Sequence, residues 1–367
     1  MEIKKIVLTG GPCAGKTTSL KKIKEYFERE KIKYLVVPET ATEFDLNGLK
    51  FVKNERLIRD FQKLILESQI TKEKIVENYA KEFFKDEEIC VIIYDRGTID
   101  NKAYLKNQYE FDNILYEKNL LELELLDKYD LVLDLISLAV CKKELYKTTE
   151  TRKESPEEAI ILDKKTSTAW IGHRNLKIIN SNITLEEETN IIINYIKETI
   201  KDNRKKEIKE IVLEKEKSNI LRYNEDNSFK LNITNYFLNM NYNDNYNYVI
   251  SKREYKNNTS YILTIYKNTN NIIHTIKDQI ITNEQFNELI SKFNILNIDK
   301  YKEINFIDNL QPYKIKIKED ELILEIEENK LNKELIIPNN LTIKNKDNKV
   351  ILLNNTKENI KSLKKIL

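Results

Sequence analysis

Glycine is scarce and one-sided in this sequence: there are six in 367 residues, at positions 10, 11, 15, 48, 97 and 172, and none afterwards. A chain that turns without glycine falls back on Asn and Asp, which tolerate positive φ better than other side chains. The change in turn chemistry divides the chain into two regions. The three cysteines, Cys13, Cys90 and Cys141, have no metal-ligand spacing, which excludes a zinc motif and a disulfide framework and points to a reducing, cytoplasmic setting. Of the two histidines, His173 beside Trp170 and Gly172 reads as structural rather than catalytic, and His274 has no metal-spaced partner. No apolar run approaches the ~18 residues that cross a bilayer. The opening Met1–Lys5 runs straight into an apolar segment, so no signal peptide is expected. Neither sign of charge dominates: 62 Lys+Arg against 60 Asp+Glu leave +2, no general pull toward nucleic acid or an anionic membrane.

What the chain does have is Gly10-Gly11-Pro12-Cys13-Ala14-Gly15-Lys16-Thr17-Thr18, which fits G-x-x-x-x-G-K-[ST]. A short β-branched run, Lys5–Thr9, precedes it, and a Lys/Glu/Leu-rich segment reading as helix, Ser19–Glu30, follows; strand, glycine loop, helix is the setting the motif requires. Backbone N–H groups of such a loop wrap a phosphate at the positive end of a helix. Lys16 then reaches the β and γ phosphates of ATP or GTP, and Thr17 holds Mg²⁺.

The next elements alternate strand and helix, an α/β pattern with a parallel sheet. Lys33–Val37 reads as a strand ending at Pro38-Glu39-Thr40-Ala41-Thr42-Glu43, and ligands of open parallel sheets sit at carboxyl ends of strands. Glu39 is therefore a candidate general base or outer partner of the metal, with a solvated loop acid as the alternative. Residues 54–84 have helical spacing and carry Gln62 and Gln69 on a polar flank. Cys90–Tyr94 is a buried-type strand ending in Asp95, the expected second metal ligand, and Arg96 beside it is suited to a phosphoryl group. Tyr129–Leu135 is the next strand. The charged stretch 151–158 suits a lid, in which Arg152 is placed to act on the phosphates, or else a solvated basic loop. Cys13, at a helix start, reads as small loop filler.

The runs GGPCAGKTT, VPETATE, IIYDRGTID, YDLVLDL, TRKESPEEA and LDKKTSTAWIGHRNLKIIN together resemble the P-loop family that includes the kinase-like domain of the bacterial NAD-biosynthesis regulator. They also resemble the branch of that family formed by the eukaryotic proteins named for a defect in TRPL channel translocation. The resemblance covers residues 1 to about 200. It implies a phosphoryl-acceptor role for Glu39 and metal and phosphate roles for Asp95 and Arg96. The TRPL-type branch is instead implied to bind GTP and an acidic phospholipid. No N-K-x-D motif supports guanine over adenine.

Arg204-Lys205-Lys206 marks the expected boundary, giving domains 1–204 and 205–367. The second region reads as successive strands at 229–240, 246–254, 260–267 and 272–281, a helix at 283–293, and charged/apolar alternation at 313–318 and 321–327. Either a closed barrel with charges inside or an ordinary sheet with one solvated face fits that alternation. This half resembles the CYTH, or triphosphate-tunnel, superfamily, which implies an antiparallel barrel-like α+β domain and a polyphosphate or acidic headgroup as ligand. Lys252, Arg253, Lys267, Lys314, Lys316 and Glu327 are the residues so implicated. The acids that hold a catalytic metal in that superfamily are thin here, so binding without hydrolysis is expected.

Taken together, the expected function is Mg²⁺-dependent binding of ATP or GTP with γ-phosphate transfer or hydrolysis, kinase action on a small acceptor being one form of it. The alternative is a nucleotide-switched regulator whose second domain binds anions.

Overall fold

The computed structural model describes the chain except for residues 51–53, 147–153, 202–204, 225, 240–245, 270–271, 328–335, 345–348 and 356–367. Arg152 lies outside the described residues. Two compact units emerge, Met1–Ile200 and Lys201–Leu367. Among the described residues no helix is long and apolar enough to cross a membrane.

The first unit runs β1 (Glu2–Gly10), α1 (Lys16–Glu30), β2 (Lys33–Val37), α2 (Thr40–Leu46), α3 (Glu55–Phe83), β3 (Ile89–Asp95), α4 (Gln108–Glu117), α5 (Glu122–Asp127), β4 (Leu131–Leu135), α6 (Leu138–Cys141), α7 (Pro156–Ala169), β5 (Leu176–Ile179) and α8 (Leu185–Ile200). Its five strands form one sheet in the order β2-β3-β1-β4-β5, every pair parallel. Parallel strands are covered on both faces, which is why β3 and β4 read as unbroken apolar runs rather than alternating ones. On one face Ile6, Leu8, Val91, Ile93, Leu131 and Leu133 pack with Ile23 and Phe27 of α1 and Ile192 and Ile196 of α8. Because β3 lies directly beside β1, Asp95 pairs in register with Leu8, two residues before Gly10. The sheet order thus brings the glycine loop and the end of β3 together.

The second unit contains β6 (Lys205–Val212), β7 (Ser228–Asn239), β8 (Asn247–Tyr255), β9 (Asn258–Thr269), β10 (Ile272–Ile281), α9 (Asn283–Lys292), β11 (Asn294–Asp308), β12 (Gln311–Ile317), β13 (Leu322–Glu327) and β14 (Lys349–Asn355). These strands close into a barrel, β10-β14-β6-β13-β12-β11-β7-β8-β9, with β9 pairing back onto β10. The closed form, not the open sheet, is what the alternation builds. Strict up-down alternation cannot close a ring with an odd number of strands, and the one mismatch falls at β10 and β14, which pair in parallel. All other neighbours are antiparallel. Without glycine, the two-residue turn between β11 and β12 puts both Asn309 (φ 47°) and Leu310 (φ 60°) in the left-handed region, the backbone that a hairpin of this length prefers.

Period-two alternation gives the barrel two chemically different faces. One face is apolar and is covered by segments outside the barrel: Ile304, Phe306, Tyr313, Ile315, Leu322 and Leu324 pack with Tyr223 and Leu341. Leu238, Ile250, Leu263 and Ile265 pack with Phe286 and Leu289 of α9. The opposite face is the lumen. There Lys316 of β12 reaches Glu210 of β6, two strands away, at 3.4 Å, a reach shortened by the inward curvature of a closed wall.

Candidate active site

The glycine loop leaves β1 and enters α1 through Gly15, which caps the helix in the left-handed conformation at φ 80°. Lys16 folds back over the loop, its Nζ donating to the carbonyls of Gly10 (2.9 Å) and Gly11 (3.1 Å). Burial lowers its pKa to about 8; Arg96 adds to the fall, while Glu39, Asp95 and Asp100 oppose it. Ala14 is buried, Pro12 and Cys13 are half-buried, and Thr17 and Thr18 are exposed on the first turn of α1.

Four groups from the ends of two strands surround Lys16: Glu39 after β2, and Asp95, Arg96 and Asp100 at and after the end of β3. Arg96, the residue after β3, sits at φ 70°, an unusual backbone for a large side chain, held by its N–H bonding Leu8 O at 3.0 Å. Such strain concentrates at functional sites. Its Nε donates to Glu39, and its guanidinium lies over the Tyr104 ring at 5.7 Å. Arg96 Nη1 and Asp95 Oδ1 are buried with no partner among the described residues. Burial alone would raise the Glu39 carboxyl, but the Arg96 and Lys16 charges and the Thr42 hydroxyl hold it down at about 2. Burial, joined by the Glu39 charge, pushes Asp95 up instead. The site therefore pushes two carboxyl groups in opposite directions around one ammonium and one guanidinium.

Asp100 braces this arrangement. It accepts from Thr9 Oγ1, from the Gly97 N–H at 2.7 Å and from Trp170 Nε1 at 3.2 Å. Gln69, placed on a polar flank by its spacing, is in fact buried; it accepts from Asn101 at 2.6 Å and donates to Gly97 O. Glu43 binds Lys72 of α3 and so ties α2 to α3. His173 is structural: Nδ1 accepts from the Asn175 N–H, so Nε2 donates to Tyr129 O at 3.0 Å.

A family model described as AAA domain matches residues 5–187. This segment is a P-loop NTPase-like AAA domain. No curated protein matches the chain. A solved structure, the PH1819 protein from Pyrococcus horikoshii OT3, aligns at 11% identity over 35% of this chain and 80% of its own, with a TM-score of 0.28, too distant a likeness to inform fold or function.

In the AAA domain, sequence reasoning missed two acids. Asp163 of α7 accepts backbone N–H bonds from Gly11 (3.0 Å) and Ser137 (2.9 Å). Asp134 of β4 is fully buried beside it. Both lie inside motif runs, Asp134 in YDLVLDL and Asp163 in LDKKTSTAWIGHRNLKIIN, but Asp134 reads there as one polar letter in an apolar strand and nothing in the second run singles out Asp163.

Among the second unit's candidates, Arg253, Lys314 and Lys316 share the lumen face, as the register through β8, β7, β11 and β12 requires, and Glu327 follows Glu325 there on β13. Lys252 and Lys267 lie on the other face: Lys252 adjoins Arg253 on the same strand and pairs with Glu254 at 2.7 Å, and Lys267 registers with His274. The lumen bases meet acids. Lys314 lies 3.5 Å from Glu303 and 3.8 Å from Glu325, Lys316 contacts Glu325 and Glu210, and Lys318 binds Asp299 at 2.9 Å. These acids raise the Lys314 pKa.

Proposed function

We propose that the AAA domain binds ATP or GTP with Mg²⁺ and transfers the γ-phosphoryl group to a small acceptor, with hydrolysis as the limiting case when water takes the acceptor's place. One observation carries the reading: beside the loop lysine, an ionised Glu39 is paired with an Arg96 whose Nη1 is buried with no partner among the described residues. A phosphoryl oxygen supplies the missing acceptor for that donor. Glu39 stands next to it to orient an acceptor hydroxyl. Phosphoryl transfer asks little more of a protein than positioning and charge.

Thr17 and Asp95 Oδ1, which has no partner among the described residues, fit Mg²⁺, which takes one or two protein oxygens beside phosphates and water. When bound, the ion would neutralise charge shared by the β and γ phosphates. The test of the whole reading is nucleoside diphosphate release from the purified protein with Mg·ATP or Mg·GTP, alone and with a panel of small hydroxyl acceptors. Acceptor-stimulated release supports transfer; no release and no nucleotide binding would sink it. Asp95→Asn is expected to raise the Mg²⁺ concentration needed for half-maximal turnover by at least ~10-fold. An unchanged Mg²⁺ requirement would remove Asp95 from the metal site.

A second reading, a nucleotide-regulated protein with an anion-binding barrel, is favoured by the convergence of Arg253, Lys314 and Lys316 on one lumen. An entering polyanion must displace the carboxylates already paired there, so the affinity is expected to be weak and to fall with salt. Glu210, Glu303 and Glu325 are engaged by lysines rather than free for a metal, so tripolyphosphate should survive. Calorimetric titration of the full chain, followed by a phosphate-release assay, checks both points. Brisk hydrolysis, or binding unaffected by Arg253→Ala, would count against this reading.

A further inference from the structure

The phosphate loop is gripped through its backbone by groups far away in sequence. Asp163 takes the Gly11 N–H and, with the same Oδ1, the Ser137 N–H. The Ser137 hydroxyl donates to Pro12 O, and the Leu138 N–H reaches Cys13 O at 3.3 Å. Three consecutive loop residues are thus tied to the β4–α6 junction and α7. Asp163 also fills the space of a side chain at position 11: a Cβ there would lie 2.6 Å from its Oδ1. Beside it Asp134 is 0% exposed, and neither of its oxygens makes a sound hydrogen bond among the described residues.

We propose that Asp163 is the positioning residue of the phosphate loop and that Asp134 beside it stays protonated, so that losing this proton loosens the loop's hold on a nucleotide. The inference rests on the nucleotide-binding reading above. A buried, unbonded carboxylate is costly when charged. Burial first, and then the Asp163 charge, raises Asp134 to about 8; Asp100 adds to this, while Ser167 and Lys16 oppose it. Asp163 is itself raised to about 6 by burial, against the Ser137 and Gly11 N–H groups and the charges of Lys16 and Arg96. Ionising Asp134 sets two negative charges side by side. Their repulsion draws Asp163 from Gly11 and adds negative charge near the bound phosphates.

The experiment is calorimetric titration of the full chain with Mg·ATP and Mg·GTP between pH 6 and 9. Asp163→Ala should weaken binding ~10- to 100-fold, the worth of charge-assisted hydrogen bonds. Asp163→Asn keeps an oxygen for both N–H groups and should stay within a few-fold of the parent. Equal losses in the two variants, or no loss in Asp163→Ala, would overturn the positioning role. Lys16 titrates in the same range in parent and variant, so the proton is read from the affinity ratio of Asp134→Asn to the parent. That ratio should rise ~10-fold from pH 7 to 9, one protonation step; a flat ratio overturns the claim. If the parent binds neither nucleotide, the proposed function fails, and the proton is read from unfolding instead. Both acids are raised in the folded chain, so their stabilising contribution is complete below about 4 and is lost as pH rises toward 8. Asp134→Asn should flatten the fall in stability between pH 5 and 9, and an unchanged slope would overturn the claim on its own.

Discussion

Lys16→Ala is expected to lower nucleoside triphosphate turnover by at least ~10²–10³-fold, the cost of deleting one preorganised charge from a transition state, while leaving the fold intact or more stable. In the structure Nζ is spent on the Gly10 and Gly11 carbonyls, contacts to be exchanged for phosphate oxygens. The burial that lowers Lys16 to about 8 also makes it a liability to folding. The unfolded chain holds this proton up to its ordinary value near 10.5, the folded chain only up to about 8. The penalty is therefore full below pH 8 and is relieved between 8 and 10.5, where stability rises with pH. Alanine removes the penalty, and the loop keeps its ties from Asp163 and Ser137. Thermal unfolding alongside steady-state turnover separates the two effects. Parent-like turnover would sink the role of Lys16; lost turnover with lost folding would show that the loop needs the lysine to hold its shape.

The parts of this site that were legible in the sequence are those made by local chain geometry. Strand, loop and helix around Lys16 follow from glycines at backbone positions that other residues resist, and Asp95 and Arg96 follow from an acid ending an apolar run. The grip of Asp163 on Gly11 spans 152 residues and leaves no local trace, because it depends on where α7 packs. Asp134 was hidden by its own strand, since a central parallel strand is buried on both faces and its pattern cannot say which side a polar residue serves. The barrel shows both situations. Alternation announced β12 and β13, and it also separates Lys252 from Arg253, since adjacent residues on one strand cannot share a face. The parallel pairing of β14 with β10 was not legible, because it follows from the strand count of the closed ring and not from either segment.

Glu39→Gln is expected to lower acceptor-dependent turnover by ~10²–10⁴, the range for losing a group that handles the acceptor's proton, with nucleotide affinity kept within a few-fold. The amide preserves shape and removes the charge. It cannot take a proton, and it leaves the Arg96 guanidinium, whose Nη1 has no partner among the described residues, without its carboxylate. A carboxyl held at about 2 is a weak base while Arg96 grips it. Its usefulness in the reaction depends on Arg96 turning to a phosphoryl oxygen, after which the Glu39 carboxyl rises toward its ordinary value and can accept the proton. Folding supplies an independent check. A depressed folded value means stability that is present above about 4.5 and lost as pH falls toward 2, so Glu39→Gln should be less stable at neutral pH and show a shallower acid limb. The decisive comparison is between transfer and hydrolysis in the same variant. If acceptor-dependent release collapses while slow acceptor-independent release persists, Glu39 serves the acceptor and the domain is a phosphotransferase. If both rates fall together, Glu39 handles water and the domain is an NTPase. If neither falls, the Glu39–Arg96 pair only shapes the loop, and the transfer reading loses the observation it stands on.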